Sequence, residues 1–338
     1  MKIKISTIIK KEHLIKQLPD LKLLWDDCEF FINDPINECD WWVVYEGIDQ
    51  PETVRCPHTN LIFITAEPPS IKTYDNKFLQ QFSHIITCHQ DITHNGKVLC
   101  QQGLPWRVGT KFTPGKDAVV EKSYDDLKDA TFEKTKLISV VCSNKTFTEG
   151  HRTRYDFVMK LKKHFGDKID LYGEGFSPIP DKLDALAEYK YHIAIENFSI
   201  DDYWTEKLAD PFITETYPFY YGCRNIERYF PDGSYTYIDI YDLNKSVNII
   251  ENIIKNNTFE KAHSKIKEAK NLVMDKYNFF ALIAEFSKNN KVENQNIKTI
   301  IIKPENYYQT LNQKKFFRKI EIKTKDVFKK LIFKKGVK

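Results

Sequence analysis

Polar side chains are concentrated in residues 196–208, directly after a short apolar run. That run, YHIAIE at 191–196, has the consecutive apolar residues of a strand that is buried on both faces. It ends in an acid and an amide, Glu196 and Asn197, and a polar loop with Tyr203 follows. Because ligands of parallel sheets bind at the carboxyl ends of the strands, these residues are candidates for a binding site.

The loop leads into Thr205-Glu206-Lys207, which is typical of the first turn of a helix. A helix N-terminus presents free N–H groups and a positive dipole end that suit a phosphate, and the Lys207 ammonium adds a full charge. The carboxylate of Glu206 can accept hydrogen bonds from ribose hydroxyls. These features predict a nucleotide site, and the alternative is an ordinary helix cap formed by Thr205.

A second polar group follows the strand-like run KLISVVC (136–142) and contains Asn144, Arg152 and Arg154. The two arginines open a predicted helix, and a guanidinium in this position can bind a diphosphate through two parallel hydrogen bonds. The alternative interpretation is a solvated helix face.

Short β-rich runs recur through the whole chain, and helical segments separate those of the second half. Strand–helix alternation predicts parallel sheets with helices on both faces. The polar, turn-rich residues 113–134 are the predicted linker between two domains, 1–112 and 135–285, and residues 286–338 form a C-terminal extension. The predicted fold class is α/β, with two Rossmann-like domains that face a cleft.

The composition limits the class of protein. The chain of 338 residues has 29% charged and 41% apolar residues, which excludes collagen-like, low-complexity and largely disordered proteins. No apolar run reaches the roughly 20 residues of a membrane-spanning helix, and the first residues lack the pattern of a signal peptide, so we expect a cytoplasmic protein.

Scattered cysteines without C-x-x-C predict reduced, structural thiols. A zinc site fits the spacing of its candidate ligands poorly: His84, Cys88, His89, His94 and Cys100.

Basic residues are concentrated at the C-terminal end. Residues 314–338 carry a net charge of +9, so the remaining chain carries −5 and gives no sign of nucleic-acid binding. Between Phe316 and Ile332, apolar residues fall on one side of a helix and lysines on the other. This basic amphipathic pattern is typical of in-plane attachment to anionic lipid. The alternatives are a disordered basic tail and a helix that packs on its own protein.

Several segments of the second half resemble, in the same order, the C-terminal domain of the α-1,3/4-fucosyltransferases, glycosyltransferase family 10. The similar segments are VVCSN (140–144), RYDFVMKL (154–161), IDLYG (169–173), YKYHIAIEN (189–197) and DYWTEKL (202–208). The pair E-N followed at this spacing by Y-x-T-E-K is specific, whereas each fragment alone would be weak evidence.

The resemblance implies a GT-B fold and an inverting sugar transfer, usually of L-fucose from GDP-fucose. The domain of residues 1–112 would bind the acceptor, and the domain of residues 135–285 would bind the nucleotide sugar. Carried over by position, Arg154 and Lys207 would neutralise the diphosphate, and Arg152 replaces Arg154 if the register slips by two. Two such cations can replace a divalent metal, so neither a metal nor another cofactor is expected at the reaction centre. The remaining candidates would bind the nucleotide sugar: Asn197, Tyr203, Glu206, Glu196, Asn144 and Arg152.

The first half contributes Glu67, which follows the apolar run LIFITA (61–66) and precedes two prolines. A carboxylate at the carboxyl end of a buried strand would face the cleft, and partial burial would raise its pKa towards the range of a general base. The segment resembles the family's F-x-T-G-E-x-x-P, whose Glu is the proposed base, with Ala66 here in place of Gly. The alternative is a surface acid at a strand end.

Two departures from the family leave the donor open: Thr214–Gly222 is bulkier and more polar than usual, and Phe198 replaces a common Ser. Another NDP-sugar is therefore the alternative donor, and a non-catalytic, membrane-attached nucleotide- or glycan-binding protein is the alternative class. The expected acceptor is a bacterial surface glycan such as lipopolysaccharide O-antigen, assembled on a lipid carrier. The protein would then lie on the inner face of the plasma membrane, in contact with it through residues 314–338.

Overall fold

The computed structural model describes residues 1–113, 115–291 and 296–308. Its strands, in chain order, are β1 (Lys2–Thr7), β2 (Leu24–Trp25), β3 (Cys28–Ile32), β4 (Trp41–Tyr45), β5 (Glu52–Pro57), β6 (Leu61–Ile64), β7 (His84–Thr87), β8 (Lys97–Leu99), β9 (Thr110–Lys111), β10 (Val119–Val120), β11 (Lys136–Val141), β12 (Ile169–Tyr172), β13 (Tyr189–Ile195), β14 (Tyr217–Tyr221), β15 (Thr236–Tyr237) and β16 (Ile297–Ile302). The helices are α1 (Lys11–Ile15), α2 (Asn76–Leu79), α3 (Tyr124–Lys128), α4 (Glu149–Phe165), α5 (Glu206–Ile213), α6 (Leu243–Lys255), α7 (Thr258–Asn271) and α8 (Phe279–Asn289).

The first domain is built on a seven-stranded sheet with the order β2-β3-β1-β4-β6-β7-β8, parallel apart from its β2–β3 edge. Strand β4 is covered by an apolar core on each face of the sheet. Trp41, Val43 and Tyr45 belong to one core, and Trp42 and Val44 belong to the other. Successive strand residues point to opposite faces, so a strand that is covered on both sides must be apolar throughout.

The second domain is built on a parallel five-stranded sheet with the order β12-β11-β13-β14-β15. Helix α4 packs on β12, and α5 packs on β13 and β14. The predicted α/β class with parallel sheets is thereby confirmed. Residues that directly follow β6 and β13 line one cavity between the domains, which is the facing arrangement of a GT-B fold.

The chain returns to the first domain through α8 and β16. Phe279, Phe280 and Ile283 pack in the first-domain core, and β16 pairs antiparallel with β5. The predicted domain 135–285 therefore ends too late, because α8 fills a core of the other domain. For the same reason the predicted extension 286–338 begins inside a helix of the first domain.

The chain also enters the second domain earlier than predicted. Trp106 and Val108 already belong to the second-domain core, and so does Leu127 of α3. The predicted linker 113–134 is therefore corrected, since apolar side chains before it and within it are committed to the second domain.

Both domains hold the interdomain segment 106–110. Lys16 of the first domain is buried, and its ammonium donates to the Val108 carbonyl oxygen at 3.0 Å and to Thr110 Oγ1 at 2.5 Å. From the second domain, Asp210 Oδ1 accepts hydrogen bonds from two consecutive backbone N–H groups of the segment, at 2.8 and 3.2 Å. Burial lowers the pKa of Lys16 to about 7, although nearby carboxylates oppose this effect.

Within residues 1–113, 115–291 and 296–308, no helix has the length and apolar character needed to cross a bilayer. The predicted amphipathic helix within 314–338 lies outside the described residues. All seven cysteines are unpaired, and six of them are buried.

Because α8 packs in the core of the first domain, we expect Phe280→Ala to lower the stability of the protein strongly. The Phe280 ring is fully buried and lies 4.8 Å from the Phe30 ring, centroid to centroid. We expect the free energy of unfolding, measured by urea denaturation, to fall by about 3–5 kcal/mol. The control Ile301→Ala removes a side chain of β16 that is 57% exposed and should cost less than about 0.5 kcal/mol. Equal losses for the two variants would contradict the placement of α8.

Candidate active site

A cavity of about 260 Å³ opens between the two domains. Its walls come from the loops after β6 and β13, together with the interdomain segment. Five of the predicted site residues line it: Glu67, Asn197, Tyr203, Glu206 and Lys207.

Neighbouring strands fix the backbone around Glu67. The Ala66 N–H donates to Glu46 Oε2 at 2.8 Å, and His89 Nε2 donates to the Glu67 carbonyl oxygen at 2.8 Å. Glu46, Glu67 and His89 each follow a strand of the adjacent trio β4, β6 and β7, so the carboxyl ends of these strands bring them together. The Glu67 side chain stays accessible to the cavity.

The surroundings of Glu67 suit a proton acceptor. Desolvation by the cleft walls raises the pKa of its carboxyl, the negative charge of Glu46 raises it further, and Lys207 lowers it. Glu46 is itself buried and held by Lys72 Nζ at 2.8 Å and by the Tyr74 hydroxyl at 3.1 Å. A carboxylate with a raised pKa binds a proton more strongly and is therefore a better general base.

In the second domain, Glu196 joins the end of β13 to the start of α5. Its buried carboxylate accepts hydrogen bonds from Thr205 N at 2.8 Å and Thr205 Oγ1 at 2.9 Å, and it pairs with Lys207 Nζ at 3.2 Å. Thr205 is the N-cap of α5, which confirms the predicted helix start. Gly222 makes room for this carboxylate, because a Cβ at that position would lie 2.4 Å from Glu196 Cγ.

Lys207 and Glu206 are held in opposite charge states. Burial alone lowers the pKa of Lys207, but the carboxylates of Glu196 and Glu206 outweigh it and raise the pKa. For Glu206, burial raises the pKa, but the charges of Lys207, Lys182 and Arg107 outweigh it and lower the pKa. The site therefore presents an ammonium beside an ionised carboxylate, which can serve a phosphate and a ribose respectively.

Arg154 is a buried guanidinium that has no carboxylate partner among the described residues. Its Nη1 donates to Asn197 Oδ1 at 2.5 Å and its Nη2 lies 3.4 Å from Ser143 Oγ, whereas its buried Nε has no partner within the described chain. The charge of Arg154 lowers the pKa of Lys207, so the two cations act on the same region. Because buried charges are ordinarily paired, this arrangement indicates a site for an anion.

The approach of α4 to the end of β13 depends on Gly150. A Cβ at Gly150 would lie 1.9 Å from the Asn197 carbonyl oxygen, so a larger residue would push the two elements apart. Thr148 caps the helix by accepting a hydrogen bond from His151 N. The first turns of α4 can therefore deliver Arg154 to Asn197.

Asn144 and Arg152 lie away from the cavity. Asn144 is exposed, and its backbone N–H donates to the Glu174 carbonyl oxygen at 3.1 Å. Arg152 is exposed on α4, and its Nη1 donates to the Thr146 carbonyl oxygen at 3.0 Å. The structure thus brings Arg154, not Arg152, to the region of Lys207.

Three residues without a predicted role contribute to the site: Glu46, Arg107 and His13. Arg107 and His13 line the cavity, and Glu46 supports the turn that carries Glu67. Glu46 could have been predicted from the sequence, because it directly follows the apolar strand β4, just as Glu67 follows the apolar run of β6. No sequence pattern identifies Arg107 and His13 as site residues, since only the folded chain brings them to the cleft.

Within the described part of the chain, no group of three or more His, Cys, Asp or Glu side chains could hold a metal ion. The residues considered for zinc make other contacts. His84 Nε2 lies 3.1 Å from the Thr59 carbonyl oxygen, and His89 supports Glu67.

Comparisons with known proteins found a family model, curated relatives and solved structures that are similar to this chain. Residues 131–299, half of the chain, match the family model of the C-terminal domain of glycosyltransferase family 10 (fucosyltransferase). GDP-fucose protein O-fucosyltransferase 3 of Danio rerio is 49% identical over 73 residues, 22% of this chain and 15% of that protein. A 4-galactosyl-N-acetylglucosaminide 3-alpha-L-fucosyltransferase of Pongo pygmaeus is 29% identical over 119 residues, 34% of this chain and 32% of that protein. A crystal structure of alpha1,3-fucosyltransferase with GDP matches with a TM-score of 0.49 and 15% identity, over 82% of this chain and 92% of that chain.

The two facing parallel sheets with a charged cleft define a protein of the GT-B type. The chain belongs to glycosyltransferase family 10, which confirms the resemblance noted in its sequence. The matched segments span less than a third of the length of these two curated relatives.

Because the Arg154 guanidinium has no carboxylate partner in the described chain, we expect Arg154→Gln to weaken anion binding without lowering the stability of the protein. We expect affinity for inorganic pyrophosphate, measured by calorimetry, to fall by about tenfold or more, because a charge-assisted contact is lost. The melting temperature should not fall, because no carboxylate in the described chain loses a partner. The control Arg152→Gln removes an exposed arginine of the same helix and should leave affinity unchanged. Unchanged binding by Arg154→Gln would refute the anion site.

Proposed function

We propose that the protein is an inverting glycosyltransferase that moves a sugar from a nucleoside diphosphate to a glycan hydroxyl. The observation that supports this most strongly is the buried Arg154, without a carboxylate partner in the described chain and close to Lys207. A leaving diphosphate supplies the anion that this pair lacks. Preplaced cations in a closed cleft stabilise the charge that develops on the leaving oxygen.

In this proposal, Glu67 takes the proton of the acceptor hydroxyl from across the cleft. The acceptor oxygen forms a bond to the anomeric carbon as the bond from that carbon to the diphosphate oxygen breaks. A single in-line displacement inverts the configuration at that carbon. The electron pair of the broken bond leaves with the diphosphate towards Arg154 and Lys207, and these two cations take the place of a divalent metal.

We infer that the donor is GDP-L-fucose. Membership of a fucosyltransferase family supports this, as does the name of the Danio rerio relative, which specifies GDP-fucose. Glu206 is suited to the ribose hydroxyls, and Asn197 and Tyr203 to the walls of the donor site. The departures at Phe198 and at Thr214–Gly222 are the argument for another NDP-sugar.

The acceptor and location belong to the same proposal. We propose a bacterial surface glycan such as lipopolysaccharide O-antigen, assembled on a lipid carrier at the inner face of the plasma membrane. The support is the basic amphipathic pattern of residues 314–338. Because the Pongo pygmaeus relative is named for a 4-galactosyl-N-acetylglucosaminide, N-acetyllactosamine is our first acceptor probe.

A thermal-shift panel of GDP, UDP, CDP and their sugars tests the donor. We expect the melting temperature to rise by a few degrees with GDP and GDP-fucose, because a ligand that binds only the folded state stabilises it. The rise should persist in EDTA, since the cations come from the protein. If the melting temperature rises with UDP alone, the donor is a UDP-sugar and not GDP-fucose. If it rises with no nucleotide, the proposed function is wrong.

Glu67→Gln tests the base. Turnover with GDP-fucose and N-acetyllactosamine should fall by roughly 10²–10⁴-fold, because the amide cannot take the proton. The GDP thermal shift should remain, because Glu67 lies across the cleft from the cations. The control Glu29→Gln changes an exposed acid of β3 and should leave turnover unchanged. A wild-type protein that binds GDP without turning over any donor would instead favour a non-catalytic binding protein.

A further inference from the structure

Lys182 lies between the candidate ribose ligand Glu206 and a buried carboxylate, that of Asp210. Its ammonium donates to Asp210 Oδ2 at 3.0 Å and lies 3.5 Å from Glu206 Oε1. Asp210 is fully buried and follows Glu206 by one turn of α5, so the two carboxylates lie on the same side of that helix. Lys182 therefore bridges them, although it is not among the described residues that line the cavity between the domains.

Two ammonium groups hold the carboxylate of Glu206. Lys207 Nζ lies 3.3 Å from Glu206 Oε1, and Lys182 Nζ lies 3.5 Å from the same oxygen. A carboxylate that is held by two cations keeps one orientation, which it needs in order to accept hydrogen bonds from the two neighbouring hydroxyls of a ribose. Because Lys207 is also a candidate ligand of the diphosphate, Lys182 is the contact whose effect is confined to the orientation of Glu206.

The interdomain segment 106–110 fixes the position of Lys182. The Gly109 N–H donates to Asp181 Oδ1 at 3.1 Å, and Asp181 directly precedes Lys182 in the chain. Asp210, the partner of the Lys182 ammonium, accepts hydrogen bonds from two other backbone N–H groups of the same segment. The backbone and the side chain of Lys182 are thus both held through the connection between the domains, and so is the orientation of Glu206.

We propose that Lys182 is a positioning residue that orients Glu206 for the ribose of the nucleotide donor. This inference rests on the proposed function. Lys182 acts through Glu206 and is itself supported by Asp210. A ribose with both hydroxyls benefits from this alignment, whereas a diphosphate that binds to Arg154 and Lys207 does not. Loss of Lys182 therefore weakens nucleotide binding through the ribose alone.

Calorimetry of the full chain with three ligands tests this role: GDP, 2′,3′-dideoxy-GDP and inorganic pyrophosphate. We expect wild type to bind GDP about tenfold or more tightly than the dideoxy nucleotide, which lacks the hydroxyls that donate to the carboxylate. In Lys182→Met this preference should fall to about threefold or less, since a misaligned carboxylate accepts the hydroxyls poorly. Affinity for pyrophosphate should stay at the wild-type value. Lys182→Arg keeps a cation and should restore most of the preference.

The control Lys190→Met removes a lysine of β13 that pairs with Glu260 at the surface, and it should keep the wild-type preference. An unchanged preference in Lys182→Met would overturn the proposal. An equal loss of affinity for all three ligands would also overturn it, because that result indicates general structural damage. If Lys182→Met does not fold, Lys182→Gln, which keeps a hydrogen-bond donor, replaces it in the same comparison.

The wild-type protein separates failure of this inference from failure of the proposed function. Equal binding of GDP and dideoxy-GDP by wild type would show that Glu206 does not bind the ribose, which overturns the role of Lys182 and leaves the proposed transferase intact. A wild type that binds neither nucleotide would overturn the proposed function and this inference together.

Discussion

Two cations in a poorly solvated cleft, Arg154 and Lys207, set the terms for the rest of the site. A buried guanidinium without a carboxylate lowers the stability of the empty protein. The neighbours of Arg154 reduce this cost without neutralising its charge. Asn197 supplies a neutral oxygen that accepts a hydrogen bond from Arg154, whereas the Glu196 carboxylate pairs with Lys207. The Arg154 guanidinium therefore keeps no counter-ion among the described residues, and an anion that binds there offsets the stability lost in the empty state.

The remainder of the fold brings an acid opposite those cations. No single domain can do this, because Glu67 belongs to the first sheet and Arg154 and Lys207 belong to elements of the second. The return of α8 and β16 to the first domain adds a second connection between the two halves. Two chain crossings thus connect the domains, and the walls of the cleft include the strand-end loops of both sheets and residues 104–107 of the first crossing.

The sequence predicted those features that are local. Thr205-Glu206-Lys207 is contiguous, and Glu67 directly follows an apolar strand, so the pattern was visible without coordinates. The family register could be read because its motifs also lie within single elements. By contrast, the apolar face of α8 has the same pattern whichever core it fills, so its domain could not be inferred. Arg107 and His13 reach the cleft only through tertiary contacts. The exposure of Arg152 depends on how α4 is rotated, and that of Asn144 depends on the path of the loop after β11.

The contacts of segment 106–110 limit how the two domains can move. Lys16 holds this segment from one side and Asp210 from the other, through hydrogen bonds that are buried or nearly so. Separating either domain from the segment would leave buried polar groups without partners, which is costly. A relative rotation of the domains that keeps these hydrogen bonds must therefore have its axis along this segment, beside Arg107.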